Sequence, residues 1–497
     1  MISDLYSLGY TVENSYKQFT RDVIVIGLAN IISALSGIIF LPLVTKTLGI
    51  HDYGIWVQFQ TITSLVLSFV ALGLPFAMNR FLAAETDRNI IKDDFWSVTF
   101  FVLPISLAIC LVIFAMSIPI ANLFFQGDRF IVMASSLLIF ISSLNYVFLS
   151  YFRTFRQMLK YAVLNTISTY AQVGLIIYLI LKGHGLYSMV IVAVIVSAGL
   201  FVSSFFLIVS QIGIARPRFA RLKQYLYFGL PTIPGYIASW VVDSSDKFFI
   251  SHFLGATAVG IYAAADSLGS IPIIISTVLA LILPPALSKL YDENKMQELK
   301  AYLSYSLKYA LVLTIPFVFG SLVLAVPILK LFSTVEAANS GHVAMTFISL
   351  DSLIYITGVI INQILIPVKK TKIGGISWAI AAFVNLGLNV VLVPVLGILG
   401  AAVGTMGAYL VSLTIQLYFS LKEIQFKIDW FSIVKCLIAS AVMSLCLWKI
   451  NPHNSTDTLI TVILGVFVYT LMVIVFKVFQ KEEINFFKRF LFHVFGK

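Results

Sequence analysis

Inside an apolar run at residues 226–250 stands the string "DSSDK", which puts Asp243, Asp246 and Lys247 where ionised groups rarely occur. A charge at membrane depth is costly unless it meets an opposite charge, a wet cavity or a polar ligand. Asp243 and Lys247 are four residues apart on one helical face and can neutralise one another, while Asp246 points elsewhere. Tyr236 and Trp240 extend that stripe. The pattern recurs in other apolar runs: Tyr262, Asp266 and Gly269; Asp351, Tyr355, Gly358 and Asn362; Asn385 and Asn389; Asn165, Thr169 and Gln172; Gln58 and Thr61. Hydrogen bonds between helices account for any single Asn or Gln. Four carboxylates and a lysine point instead to a wet interior.

A second set is cationic and sits where apolar runs end: Arg21, Arg80, Arg153, Lys289 and Lys308. Flexible Lys and Arg side chains at one level can stabilise a desolvated phosphate or diphosphate. Each alone also suits topology setting or snorkelling. Catalysis finds no support. His51 with Asp52, His184, His252, His342 and His453 are scattered, with no Ser/His/Asp arrangement, HExxH, Walker loop or metal-ligand spacing. Cys110, Cys436 and Cys446 lie in apolar runs and read as buried small side chains. The expectation is no metal, no cofactor and no enzyme.

The elements that must position these residues are membrane helices. Hydrophobic residues make up 60% of the chain, charged residues 11%, and mean hydropathy is +0.98; a soluble protein has roughly a quarter charged residues. Spans of about 20 residues are needed to cross a bilayer. They are expected near 22–46, 54–79, 95–125, 130–152, 157–181, 186–210, 226–250, 258–284, 302–332, 343–367, 372–396, 398–421, 428–449 and 458–479, about fourteen in all. Lys and Arg alternate sharply between sides. One side collects Lys17, Arg21, Arg80, Arg88, Lys92, Arg153, Arg156, Lys160, Arg216, Arg218, Arg221 and Lys223, then Lys289 to Lys308, Lys369 to Lys372, Lys422, Lys427 and the tail. The other has Lys46, Arg129, Lys182, Lys330 and Lys449. Both termini are therefore expected in the cytoplasm of a multi-pass cell-membrane protein. The same alternation explains the net charge of +11 through anionic lipid headgroups, without nucleic acid.

Residues 48–56, "LGIHDYGIW", and 254–262, "LGATAVGIY", repeat one signature 206 positions apart. Six spans separate the copies, so both lie on one side, which predicts parallel repeats: two six-helix lobes related by an axis along the membrane normal. "FIS" at 140–142 and 347–349 echoes it. Each glycine permits a tight turn, and Trp56 and Tyr262 are expected to anchor at headgroup level. The predicted organisation is a cytoplasmic or interfacial segment 1–21, an N-lobe 22–210, a basic linker 211–225, a C-lobe 226–421, two further spans within 422–480 and a cytoplasmic tail 481–497. Pro42, Pro75, Pro104, Pro119, Pro231, Pro234, Pro272, Pro284, Pro316 and Pro327 fall in or beside spans and permit kinks.

The strings "LPLVTKTLGIHDYGIW", "SSDKFFISHFLGATAVGIYAAADSLGSIP" and "VLGILGAAVGT" resemble the polysaccharide or O-antigen repeat-unit flippases of the multidrug/oligosaccharidyl-lipid/polysaccharide exporter superfamily, over essentially the whole chain. The resemblance implies an all-α polytopic fold of two six-helix lobes plus two C-terminal helices. It also implies alternating access that carries a polyprenyl-diphosphate-linked oligosaccharide to the outer leaflet. Polysaccharide polymerases and glycosyltransferases are the implied partners, and proton or sodium the implied coupling ions. Members commonly line the central cavity with Arg or Lys, whereas here only Lys247 is expected well inside a span. On this reading Arg21, Arg80, Arg153, Lys247 and Lys289 would receive the substrate, and Asp243, Asp246, Asp266, Asp351, Tyr355, Asn362 and Asn385 would form polar or gating positions. An ion-coupled multidrug exporter is the first alternative; it calls for a deep carboxylate in spans one to six, where only Asp22 lies at an edge. A membrane-embedded polymerase or glycosyltransferase is the second, and the short outer loops speak against it.

Overall fold

The computed structural model describes residues 27–30, 32–452, 454–479 and 483, and every regular element among them is helical. In chain order these are α1 (Gly27–Leu48), α2 (Ile50–Val70), α3 (Leu74–Phe81), α4 (Arg88–Ala115), α5 (Ser117–Phe124), α6 (Arg129–Thr154), α7 (Met158–Leu181) and α8 (Leu186–Ile212). Then follow α9 (Leu222–Gly229), α10 (Ile233–Ser244), α11 (Asp246–Leu254), α12 (Ala256–Gly269), α13 (Ile273–Asp292), α14 (Met296–Phe332) and α15 (Val335–Asn362). Last come α16 (Thr371–Leu396), α17 (Ile398–Glu423), α18 (Trp430–Ile450) and α19 (Ser455–Val475).

Among the described residues thirteen helices are long and apolar enough to cross a membrane. The segment expected as one span at 226–250 is broken into α9, a 3-10 turn at Leu230–Thr232, α10 and α11. Pro231 and Pro234 stand at the first helical positions after each break, where a missing N–H does no harm. The span expected at 54–79 is likewise two helices. Gly73 separates them at φ +67°, a conformation costly for any residue with a Cβ. Gly73 also lies against Gly229: a Cβ there would come within 2.2 Å of the Gly229 carbonyl oxygen.

The repeated signature turns out to be a pair of hinges. Gly49 (φ +91°) is the one residue between α1 and α2, and Gly255 (φ +84°) the one between α11 and α12. Five residues beyond each hinge, Gly54 and Gly260 let the copies touch backbone to backbone. A Cβ on Gly54 would meet the Ala256 carbonyl oxygen at 1.9 Å, and one on Gly260 the Ile50 carbonyl oxygen at 2.1 Å. Ala256 and Ile50 each immediately follow their hinge, so the contact is reciprocal, as around a local two-fold axis. This packing overturns the expected headgroup anchoring. Trp56 is 5% exposed and Tyr262 2% exposed. Trp56 packs against Phe40 and Phe59, and the Tyr262 hydroxyl donates to Asp246.

The chain divides into two compact units, Met1–Ala263 with Ala381–Ala401, and Ala264–Ile380 with Ala402–Lys497. In the first, Phe95, Trp96, Phe148, Tyr151 and Phe152 build an aromatic core that joins α4 and α6 to α3, α8 and α9. The second centres on an aliphatic core from α13, α14, α15, α18 and α19. One ionic cluster is built into it: Lys308 Nζ lies 3.0 Å from Glu483 Oε2 and 3.3 Å from Asp429 Oδ2, and Tyr309 donates to Glu483. Lys308 is 4% exposed. It is therefore not one of a row of free cations at the span ends, and Lys247 is not the one lysine held inside a helix.

Candidate functional site

Within the first unit, α2, α6, α7 and α8 enclose a polar trough. α6 presents Ser142, Asn145, Tyr146, Leu149 and Arg153 at intervals of three and four, which is one helical face. α7 presents Asn165, Ser168, Thr169 and Gln172 in the same way, and α2 adds Gln60, Thr63 and Ser64. The trough consists of a cavity of about 270 Å³ lined by the α2, α7 and α8 groups and one of about 380 Å³ reaching Ser68, Asn145, Tyr146 and Tyr236. Both include Ser64, Leu67 and Ser142. The wall between α6 and α8 is tied: Asn145 Nδ2 donates to the Ser197 carbonyl at 2.9 Å and to its hydroxyl at 3.0 Å. Asn145 Oδ1 is buried without a hydrogen bond. Trp240 closes one side by donating to Ser64 Oγ at 3.0 Å.

Arg153 stands beside the larger cavity. Its guanidinium lies 5.7 Å from the Tyr146 ring centre and 5.4 Å from that of Tyr161, a cation–π clamp that orients a planar fork. Its Nε is buried and makes no hydrogen bond. Asn79 and Thr154 are hydrogen-bonded at 2.5 Å, so their chain neighbours Arg80 and Arg153 leave α3 and α6 at the same end of the unit. Arg80 is exposed.

That end is fastened by charge. Arg221 bridges Glu85 at 3.1 Å and Asp94 at 3.4 Å, and Tyr225 donates to Asp94 at 3.0 Å. The Arg221 hydrogen bond holds the Glu85 carboxyl below the usual glutamate range. Ser97 Oγ accepts the backbone N–H groups of Arg218 and Phe219, and Trp96 Nε1 donates to the Gly213 carbonyl. The basic linker is thus docked on α4. Asp94, one residue before the span expected at 95–125, is a buried residue of α4.

Of the other residues singled out from sequence, Arg21 lies outside the described residues. Asp246 is buried, with Tyr262 donating to it and its Oδ1 accepting the Lys247 N–H at 2.7 Å; Asp243 is exposed. Ser245 separates the two helices that carry Asp243 and Lys247, and its hydroxyl donates to Asn385 Oδ1 at 3.0 Å. Asn389 in turn donates to Asn385. Lys289, in the second unit, is exposed and 3.9 Å from Glu293. There Asp266 is half-buried and Asp351 buried, Tyr355 packs against Trp378 and Tyr409, and Asn362 packs on Gly374. An apolar groove of about 450 Å³ runs between α14, α18 and α19, past Pro316, Gly320 and Gly465. Sequence reasoning missed Gln60, Ser142, Asn145, Tyr146 and Ser168. The signal was the three-and-four spacing on α6, which carries no charged side chain between Arg129 and Arg153 to draw notice.

A family described as polysaccharide biosynthesis protein matches residues 43–336. The probable low-salt glycan biosynthesis flippase Agl15 of Haloferax volcanii is 26% identical over 255 residues, 50% of this chain and 53% of that protein. The chain spans about half the length, or less, of the curated relatives it matches. A solved structure of the lipid II flippase MurJ in an inward closed conformation superposes with a TM-score of 0.75 at 20% identity, over 91% of this chain and 98% of that one. An inward-facing multidrug resistance MATE family transporter superposes at 0.60 and 16% identity, over 79% and 93%. These two share the fold.

Proposed function

The chain belongs to the polysaccharide biosynthesis protein family, and from that premise we propose that it flips a polyprenyl-diphosphate-linked oligosaccharide from the cytoplasmic to the outer leaflet by alternating access. The observation that carries this is Arg153: a clamped guanidinium with an unused donor, beside a cavity of mixed polar and apolar lining inside a membrane bundle. A diphosphate entering a low-dielectric site needs charge-assisted donors, and a planar fork meets its oxygens two at a time. Arg80 stands at the same end and would meet the anion first. The positive-inside asymmetry supports a cytoplasmic position for that end. The apolar groove of the second unit has the chemistry of an isoprenoid chain, which offers only hydrocarbon surface. Glycosyltransferases would supply the substrate and a polymerase consume it.

The MATE-like fold keeps an ion-coupled multidrug exporter as the competing reading. Such coupling wants a carboxylate free to change its proton or sodium. Asp94, the buried carboxylate of α4, is instead occupied by Arg221 and Tyr225.

The test is flipping of a fluorescent polyprenyl-diphosphate oligosaccharide in reconstituted vesicles. Arg153→Gln should lower the rate about ten- to a hundredfold, since a charge-assisted hydrogen bond is worth about 1.5 to 3 kcal/mol. Arg153→Lys should recover part of it. Unchanged flipping in Arg153→Gln would remove Arg153 from the substrate path.

A further inference from the structure

The smaller cavity of the trough differs from the Arg153 end in carrying no charge. Gln60, Asn165, Ser168 and Gln172 face it from α2 and α7, all half-buried, and none of these side chains hydrogen-bonds to another described residue. Their neighbours are served. Thr169 Oγ1 donates to the Asn165 carbonyl, Thr63 Oγ1 to the Phe59 carbonyl, and Ser142 and Ser197 lie 3.3 Å apart. The contrast leaves the unserved amides and hydroxyl facing the cavity from α2 and α7. Their polar atoms open onto the cavity, so their hydrogen-bonding capacity is left for whatever fills it. Helix-to-helix bonding, the ordinary use of such residues, is not what they do here. They are arranged for a polar occupant.

We infer that this cavity is a subsite for the neutral, hydroxyl-rich sugar of the substrate, separate from the Arg153 end that takes its diphosphate. The inference rests on the flippase reading and adds the chemistry of the head group. Carboxamides match vicinal hydroxyls because each offers two N–H donors and a carbonyl acceptor, so one Asn or Gln can serve two adjacent OH groups. A charged sugar would find no counter-charge, since no Lys, Arg, Asp or Glu lines the cavity. A volume of about 270 Å³ suits one or two sugar rings rather than a long chain. The two cavities meet at Ser64, Leu67 and Ser142, so a head group seated in one continues directly to a diphosphate in the other. The site is built from α2, α6, α7 and α8 of one unit.

The experiment compares two probes on purified protein in nanodiscs: a polyprenyl diphosphate carrying a neutral disaccharide, drawn from a small panel, and the same polyprenyl diphosphate with no sugar. Wild type should bind at least one glycosylated lipid about tenfold or more tightly than the bare one. The Asn165→Leu/Gln172→Leu variant should lose that preference while binding the bare lipid as before, which also shows that it is folded. Arg153→Gln should weaken both probes alike. A preference for sugar that survives in Asn165→Leu/Gln172→Leu overturns the subsite and leaves the flippase reading standing. Wild type that binds no probe overturns both. A variant that loses a sodium dependence of bare-lipid binding but keeps its sugar preference assigns the cavity to a cation and overturns the inference.

Discussion

Lys308 shows how far a residue's role can depart from its place in the sequence. It lies near the end of an apolar run among other cations, which suits topology setting, yet it is buried between Glu483 and Asp429. Its partners are 175 and 121 residues away, beyond any spacing rule. Removing one member of a buried ionic cluster strands the others, typically at about 3–5 kcal/mol, whereas replacing a pair by neutral groups of similar volume is often tolerated. Lys308→Ala should therefore lower the melting temperature in detergent more than Lys308→Met/Glu483→Gln does. Equal losses would mean that the cluster is solvated and structurally idle. Arg153 is the opposite case. Its residue type and position were legible in the sequence, but its tyrosine clamp and its idle Nε depend on which faces of α6 and α7 meet.

At the scale of elements, the two LG…G-I-aromatic copies predicted a repeat and delivered a contact. Period and topology were legible because both follow from counting spans. The mutual packing was not, since nothing in a single sequence says that one glycine faces its own counterpart. The broken segment 222–254 was half legible: Pro231 and Pro234 forecast a kink, but an unbroken apolar run looked like one span. The polar face of α7 was read, and that of α6 was passed over for want of charge. The Gly54–Gly260 crossing supports a direct test. Each alanine forces a backbone carbonyl to move, so Gly54→Ala or Gly260→Ala should cost about 1–3 kcal/mol of stability as overpacking. Because both act on one crossing, Gly54→Ala/Gly260→Ala should cost less than the sum by more than about 0.5 kcal/mol. Thermal melting of the three variants measures this, and strict additivity would show that the glycines act apart.

For the whole molecule the proposed direction of transport depends on orientation, which composition alone addresses. Cations gather at the helix ends and loops around the α3–α4 junction (Arg80, Arg88, Lys92), the α6–α7 junction (Arg153, Arg156, Lys160) and the linker after α8 (Arg216, Arg218, Arg221, Lys223), against Lys182 at the α7–α8 junction. Counted over short loops, such a bias supports a cytoplasmic position for the cationic side. One crossing, α8, separates the loop at 182–185 from the linker at 213–221, so reporters in the two must lie on opposite sides of the membrane. His184 and Ala220 are both exposed and suit cysteine replacement, whereas Ala256, beside the Gly255 hinge, is buried and does not. In a chain with Cys110, Cys436 and Cys446 replaced, a membrane-impermeant maleimide should label His184→Cys in intact cells and Ala220→Cys only after lysis. The docking of the linker on Trp96 and Ser97 leaves Ala220 at the surface, so access and not burial governs that second result. The reverse pattern would place Arg80 and Arg153 outside. A diphosphate bound by them would then be approaching from the outer leaflet, and the direction proposed for flipping would have to be inverted.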